Sequence, residues 1–345
     1  MSGLYSHCLI PMFSWLGLVL CVGIFLFSLG SVCLIRQYAL KKLLDVPNPR
    51  SSHQMPTPRG GGLAIALVFF LVLVWQFWVG SLKWADFIAL GLGLMVAAIG
   101  FWDDHQHVPA RWRFAVHLIT AVAAVYGLNG LPLLAIGPIS LNLGLLGDMV
   151  AVLGLVWLLN LYNFMDGIDG IAASEAIFVS AALAWFLCDL DPHLSVMALS
   201  LALASAGFLL WNWPPAKIFM GDVGSGFLGF VLGVLILMST QLSANLLFVG
   251  LILLAVFISD ATVTLIRRYL SGQKWYLAHC SHAYQHAARQ YGHLKTLLAV
   301  AGINVFWLLP LAFLAAKFPV FNVAALSMAY LPLGILAVKF NAGKS

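Results

Sequence analysis

Eleven apolar stretches recur along the chain, each about long enough to cross a bilayer: about 10–36, 60–80, 84–102, 112–131, 147–164, 171–189, 194–211, 224–241, 245–267, 296–316 and 320–340. A membrane-spanning helix needs about 20 consecutive apolar residues. None of the runs alternates with period two over strand length, which argues against a porin-like barrel. Charged residues make up 8% of the chain and hydrophobic residues 62%, whereas a soluble domain carries about 25% charged residues. So few polar groups cannot cover a globule, so a soluble enzyme and a disordered chain are both excluded. The expected fold is an all-α integral membrane protein, with residues 1–345 forming a single polytopic domain.

The placement of basic residues sets the orientation. With the N-terminus outside, only Lys83 and Lys317 of the 17 Lys and Arg residues fall outside. Such asymmetry is the signature of inside loops, and it predicts eleven spans, N-out and C-in. The apolar run near the N-terminus is too long for a cleavable signal. The five cysteines lack paired spacing and read as small hydrophobes, with no disulfide framework or zinc site.

Acids beside a membrane need a reason, and here they gather on the inside. Asp103 and Asp104 end the third helix in Gly100-Phe-Trp-Asp-Asp104. Adjacent carboxylates repel and oppose the helix dipole there, so a cation, a basic group or a held proton is expected. Asn163, Asp166 and Asp169 stand at i, i+3, i+6 in Asn163-Phe-Met-Asp-Gly-Ile-Asp-Gly170, on one face if helical. The calcium-loop pattern is absent. Phe219-Met-Gly-Asp222-Val-Gly-Ser-Gly226 is a glycine-rich entry into a helix, where backbone N–H groups attract anions. It lacks the Gly-Lys-Ser/Thr ending of a P-loop.

Two further inside segments are rich in polar side chains. In His279-Cys-Ser-His282-Ala-Tyr-Gln-His286-Ala-Ala-Arg289 a helix would put three histidines and an arginine on one stripe. No carboxylate or cysteine completes a zinc site, and a polyanion suits the stripe better. An amphipathic helix lying on acidic headgroups is the plainer alternative. The first inside loop, from Asp45 to Gly62, holds His53 and Arg59 among prolines and glycines that exclude a helix. It reads equally as a pocket wall or a linker. Together, acids suggest Mg2+, and glycine turns with His and Arg suggest a phosphorylated ligand. The simplest shared chemistry is phosphoryl transfer at the inner membrane surface.

These motifs, in this order, resemble the polyprenyl-phosphate N-acetylhexosamine-1-phosphate transferases: PTPRGGG at 56–62, GFWDD at 100–104, NFMDGIDG at 163–170, FMGDVGSG at 219–226 and the histidine box at 279–286. The likeness is greatest to the branch that begins bacterial O-antigen. The peptidoglycan branch carries three consecutive histidines where this chain has HCSHAYQH. The resemblance implies transfer of an N-acetylamino-sugar 1-phosphate from a UDP-sugar to undecaprenyl phosphate, with release of UMP, in the bacterial inner membrane with the site on the cytoplasmic face. It implies Mg2+, with Mn2+ as a substitute, held by Asp222. By the same resemblance Phe219 stacks on the uracil, and Asn163, Asp166 and Asp169 line the nucleotide-sugar pocket. Asp103 and Asp104 face the lipid phosphate, with Asp103 the general-base candidate, and His279, His282 and His286 hold the pyrophosphate. His53 and Arg59 border the site. The expected partners are the UDP-sugar, the lipid acceptor and the bilayer, with a homodimer plausible and no nucleic acid.

A transporter is the main rival class, because Asp260 lies within the ninth apolar run. Transport sites sit near the midplane in repeated, broken helices, and no repeat is visible here. An ion pair of Asp260 with Arg267 is the preferred reading. A membrane scaffold would need none of the carboxylate-glycine motifs.

Overall fold

A computed structural model describes residues 15–47, 55–136, 139–273 and 279–344. His53 therefore lies outside the described residues. Among the described residues, each of the eleven apolar runs is mainly helical. In chain order the helices are α1 (Trp15–Lys42), α2 (Leu63–Trp78), α3 (Trp84–Gly91), α4 (Gly93–His105), α5 (Ala110–Gly127), α6 (Gly144–Met165), α7 (Ile171–Leu187) and α8 (Pro192–Asn212). They continue with α9 (Asp222–Leu242), α10 (Asn245–Leu253), α11 (Ala255–Leu270), α12 (Ala283–Tyr291), α13 (His293–Ile303), α14 (Leu309–Lys317) and α15 (Asn322–Lys339). A π-helical turn, Asn304–Leu308, joins α13 to α14. Among the described residues, seven helical segments are long and apolar enough to cross a membrane, and α10 with α11 makes an eighth if that pair, bent by 70°, is one span. Helices α2 and α7 are apolar but shorter. The chain is thus a multi-pass α-helical membrane protein.

Helix α9 is the axis of the bundle. All of its residues from Val223 to Thr240 are buried, and it packs against α4 and α6. Where lipid is as apolar as leucine, helices associate through close packing of small residues. The start of α9 follows that rule. A Cβ on Gly62 would fall on the Cα of Gly224 and 2.8 Å from its nitrogen. Gly62→Val is therefore expected to lower the melting temperature sharply or to prevent a monodisperse detergent preparation, since overpacking costs about 1–3 kcal/mol or more. Gly154→Ala, where a Cβ meets nothing within 4 Å, should melt like the unaltered protein. Equal melting of both variants would refute the contact.

The first inside loop contains no helix among its described residues. Strand β1 (Leu44–Asp45) pairs antiparallel with β2 (Thr57–Pro58), and Arg59 N–H donates to Leu43 O at 2.9 Å. The cysteines depart in part from expectation: Cys188 is disulfide-bonded, while Cys21, Cys33 and Cys280 are outside any disulfide.

Candidate active site

The glycine-rich segments at 58–62 and 218–222 lie side by side. Phe219 N–H donates to Pro58 O at 2.8 Å, Gly61 N–H to Phe219 O at 2.9 Å and Gly62 N–H to Met220 O at 2.9 Å. Gly221 has φ +77°, a left-handed conformation that glycine adopts freely. A Cβ there would also lie 2.8 Å from Gly60 N and against the Asp104 carboxylate. This turn aims the N-terminus of α9 at one end of the bundle.

Three acids compose that end, and the structure gives them different work. Both Asp104 oxygens accept from the backbone of α9: Oδ1 from Asp222 N–H and Oδ2 from Val223 N–H, each at 3.2 Å. Asp104 thus caps the helix that carries Asp222, where a carboxylate also favours the dipole. Arg59 donates to Asp104 O at 2.6 Å, and its Nε lies 3.6 Å from Oδ1. Asp103 points elsewhere. Its Oδ1 accepts from Val108 N–H at 2.7 Å and its Oδ2 from Arg113 Nη1. The same Arg113 Nη1 lies 3.0 Å from Asp222 Oδ2. One guanidinium therefore answers the charge of both Asp103 and Asp222.

A cavity of about 240 Å3 opens beside these groups, and its wall includes Arg59, Asp104, Asn163, Asp166, Asp169, Phe219 and Asp222. Thus seven of the residues singled out in the sequence meet at one surface. Asn163 Oδ1 accepts from Ser225 Oγ at 2.8 Å. Asp169 Oδ2 accepts from Ala216 N–H at 3.1 Å and lies 3.3 Å from His293 Nδ1. Asp166 has no basic side chain within 4 Å of its carboxylate among the described residues. Burial and the nearby Asp222, Asp104 and Asp169 push its carboxyl well above the usual range. A half-buried acid that faces other acids is a group made for a cation or a proton.

The histidine box is arranged differently from the expected stripe. Helix α12 begins only at Ala283, so His279 lies before it and His282 is its N-cap. His282 is 2% exposed and its Nδ1 lies 3.3 Å from Asp260 Oδ1. Burial, with His282 and Arg268 nearby, pushes His279 down to about 4, which leaves it neutral at pH 7. His286 Nε2 lies 3.2 Å from Lys344 O. None of the three lines the described cavity; Gln285 does. The box is joined to the site by Tyr284, whose hydroxyl donates to Phe164 O at 2.9 Å. The expected ion pair of Asp260 with Arg267 does not form in the structure, where Asp260 faces His282. Instead it accepts from Ala283 N–H at 2.9 Å, Tyr284 N–H at 2.8 Å and Thr264 Oγ1 at 3.1 Å.

Sequence reading missed Arg113, Asn212, His293 and Gln285. Arg113 left a trace, as a basic residue at the start of an apolar helix. Asn212 ties two motifs together: its Oδ1 accepts from Gly170 N–H and its Nδ2 donates to Ile218 O, both at 2.9 Å. No spacing pattern points to it.

The sequence model of glycosyl transferase family 4 matches residues 86–240. The chain is 30% identical over 248 residues to a probable undecaprenyl-phosphate N-acetylglucosaminyl 1-phosphate transferase of Bacillus subtilis, covering 70% of this chain and 68% of that protein. It is 30% identical over 208 residues to a phospho-N-acetylmuramoyl-pentapeptide-transferase of Neisseria gonorrhoeae, covering 50% and 57%. It is 33% identical over 216 residues to that of Lactiplantibacillus plantarum, covering 57% and 65%. The chain thus covers less than two thirds of the length of the two pentapeptide transferases. The fold and these likenesses define a class of membrane-embedded sugar-phosphate transferases. The chain belongs to glycosyl transferase family 4, among the polyprenyl-phosphate hexosamine-1-phosphate transferases.

Proposed function

We propose that the cavity binds a UDP-N-acetylamino sugar and that the protein transfers its sugar 1-phosphate to undecaprenyl phosphate, releasing UMP. The observation that carries this reading is the partly exposed Asp222 at the start of α9, in one cavity with Phe219 and with Asp166, which has no basic side chain within 4 Å among the described residues. The product would begin O-antigen or a related envelope polysaccharide. This reading takes the chain as eleven spans, N-out and C-in, with the cavity at the cytoplasmic face, where a soluble donor and a lipid acceptor meet; the inside bias of Lys and Arg supports it. A homodimer is compatible with this arrangement.

The donor set fits Mg2+, with Mn2+ as a substitute. Among the described residues no group of three or more His, Cys, Asp or Glu side chains could hold a metal. A cation here would rest on one or two carboxylates, Asp222 first and Asp166 beside it, with phosphate oxygens and water completing the shell. That is the usual habit of Mg2+. It would neutralise charge on the diphosphate. Phe219 offers a ring to the uracil, and Asn163 and Asp169 offer polar contacts to the nucleotide sugar. Arg59 and Arg113 are the cations at hand for phosphate oxygens.

The lipid phosphate is largely dianionic at neutral pH, as its second pKa is about 6 by analogy with phosphoserine. Its oxygen is already a nucleophile. It attacks the β-phosphorus in line. The bond from that phosphorus to the oxygen bridging it to the α-phosphorus breaks, and UMP leaves with the electron pair. Asp103, with both oxygens engaged by Val108 and Arg113, serves to position Arg113. Recovery of a labelled sugar phosphate bound to the protein in the absence of lipid would replace this direct route by a two-step one.

The test is UMP release by the purified protein with Mg2+, undecaprenyl phosphate and a panel of UDP-N-acetylamino sugars. Release that needs both lipid and metal, and one donor above the rest, supports the reading and names the sugar. Silence with every donor in folded protein overturns it. A pH series adds an independent check. Asp166 is raised, so the metal-free folded state holds a proton that the unfolded chain gives up at lower pH. Metal-free stability should therefore fall as pH rises above the ordinary carboxylate range. Added Mg2+ must displace that proton, so its stabilisation should grow in the same direction. A Mg2+-induced melting shift that shrinks as pH rises would contradict the assignment.

A further inference from the structure

Outside the cavity, two cations share one indole. Trp211, near the end of α8, is held at its edge, where Nε1 donates to Leu29 O on α1 at 3.1 Å. Arg36 on α1 places its Cζ 5.8 Å from the centre of that ring, and Lys217, in the turn after α8, places its Nζ 5.7 Å from it. Arg36 Nε donates to Lys217 O at 3.1 Å. The guanidinium is thereby fixed through its Nε, while the Lys217 side chain is exposed. Neither cation has a carboxylate within 4 Å among the described residues. The ring attracts each of them through its face, but it carries no net charge to set against theirs. Two ordered like charges without a counter-acid are arranged for an anion.

Their place in the fold says which anion. Arg36 stands six residues before Lys42, where α1 ends, about 9 Å at a rise of ~1.5 Å per residue. Trp211 is one residue from the end of α8, and both helices are long and apolar enough to span a membrane. The pair therefore lies at the level of the headgroups, where tryptophan is favoured. Leu34, Tyr38 and Leu40, around Arg36 on the same helix, are exposed, so this stretch of α1 looks out on the bilayer. Neither Arg36 nor Lys217 lines the cavity of the transfer site. The phosphates that meet this surface are those of the surrounding phospholipids. A guanidinium fork beside a lysine point charge suits their oxygens, and basic pockets between membrane helices hold anionic headgroups.

We propose that Arg36 and Lys217, ordered on Trp211, form a headgroup site for an anionic phospholipid at the membrane surface, separate from the transfer site. The assignment does not depend on the transfer reaction.

The test is native mass spectrometry of the full-length protein in detergent, titrated with phosphatidylglycerol or phosphatidylcholine of matched acyl chains. The first phosphatidylglycerol adduct should form at a concentration at least tenfold lower than the first phosphatidylcholine adduct. Arg36→Gln/Lys217→Gln should weaken the phosphatidylglycerol adduct about tenfold and leave the other unchanged. Lys41→Gln/Lys42→Gln removes as much charge from the exposed end of α1 without touching the ring, and should weaken it less than threefold. Should the first double variant melt early, Lys217→Gln alone, which keeps the backbone acceptor of Arg36, should still weaken the adduct at least threefold. Equal binding of the two lipids, or equal weakening in the two double variants, overturns the site in favour of diffuse charge. Displacement of phosphatidylglycerol by inorganic phosphate, or binding of undecaprenyl phosphate at least tenfold tighter in a manner lost with Lys217→Gln, overturns the phospholipid as occupant.

Discussion

Asp222→Asn should lower UMP release by about 10²–10³-fold, the cost of losing one well-placed charge or donor in a transition-state site, with little change in melting temperature. The side chain keeps its volume, and Arg113 keeps its bond to Asp103, so no buried charge is orphaned. Asp104→Asn should behave in the opposite sense. An amide offers only one acceptor to the two N–H groups of Asp222 and Val223 that Asp104 now caps. A stability loss of about 1–2 kcal/mol is expected there. Any fall in activity should then track the loss of folded protein. The comparison requires both assays on the same preparations. Asp222→Asn retaining activity within threefold would remove Asp222 from the centre of the reaction.

Asp260→Leu is expected to cost about 3–5 kcal/mol, because two backbone N–H groups and a hydroxyl lose a buried acceptor together. The damage should be felt at a distance. Tyr284, held at its backbone by Asp260 and at its hydroxyl by Phe164, is the link between α12 and the Asp166 turn. Protease sensitivity between 279 and 292 should rise in this variant, and activity should fall with it. Asp260→Asn, which retains one acceptor, should lie between. If Asp260 instead carried a transported ion, Asp260→Asn would leave the protease pattern and UMP release unchanged.

The helical runs were legible because a bilayer leaves few alternatives: each long apolar segment folds as a helix with its backbone satisfied internally. The acids of the site were legible for the same reason, since Asp104, Asp166 and Asp222 are too costly beside lipid to be incidental. Their division of labour was hidden. Whether a carboxylate caps a helix, as Asp104 does, or faces a cavity, as Asp166 does, depends on the approach of segments more than a hundred residues apart. His279 and His282 misled for a related reason. Their spacing fits a helical stripe, but Asp260 caps the chain at Ala283 and starts the helix after them. Asn212 carried no signal, because an amide that bridges two turns has no periodicity.

The burial of α9 has a consequence for life in changing membranes. The helix that starts at Asp222 is enclosed by protein from Val223 to Thr240, so it meets no acyl chains of its own. When bilayer thickness changes, outer helices such as α1, with its many lipid-facing side chains, must absorb the mismatch by tilting. The axis they surround need not move with them. A cell could therefore remodel its lipids with temperature while the reacting groups keep their register, the rim serving as a suspension for a rigid spindle.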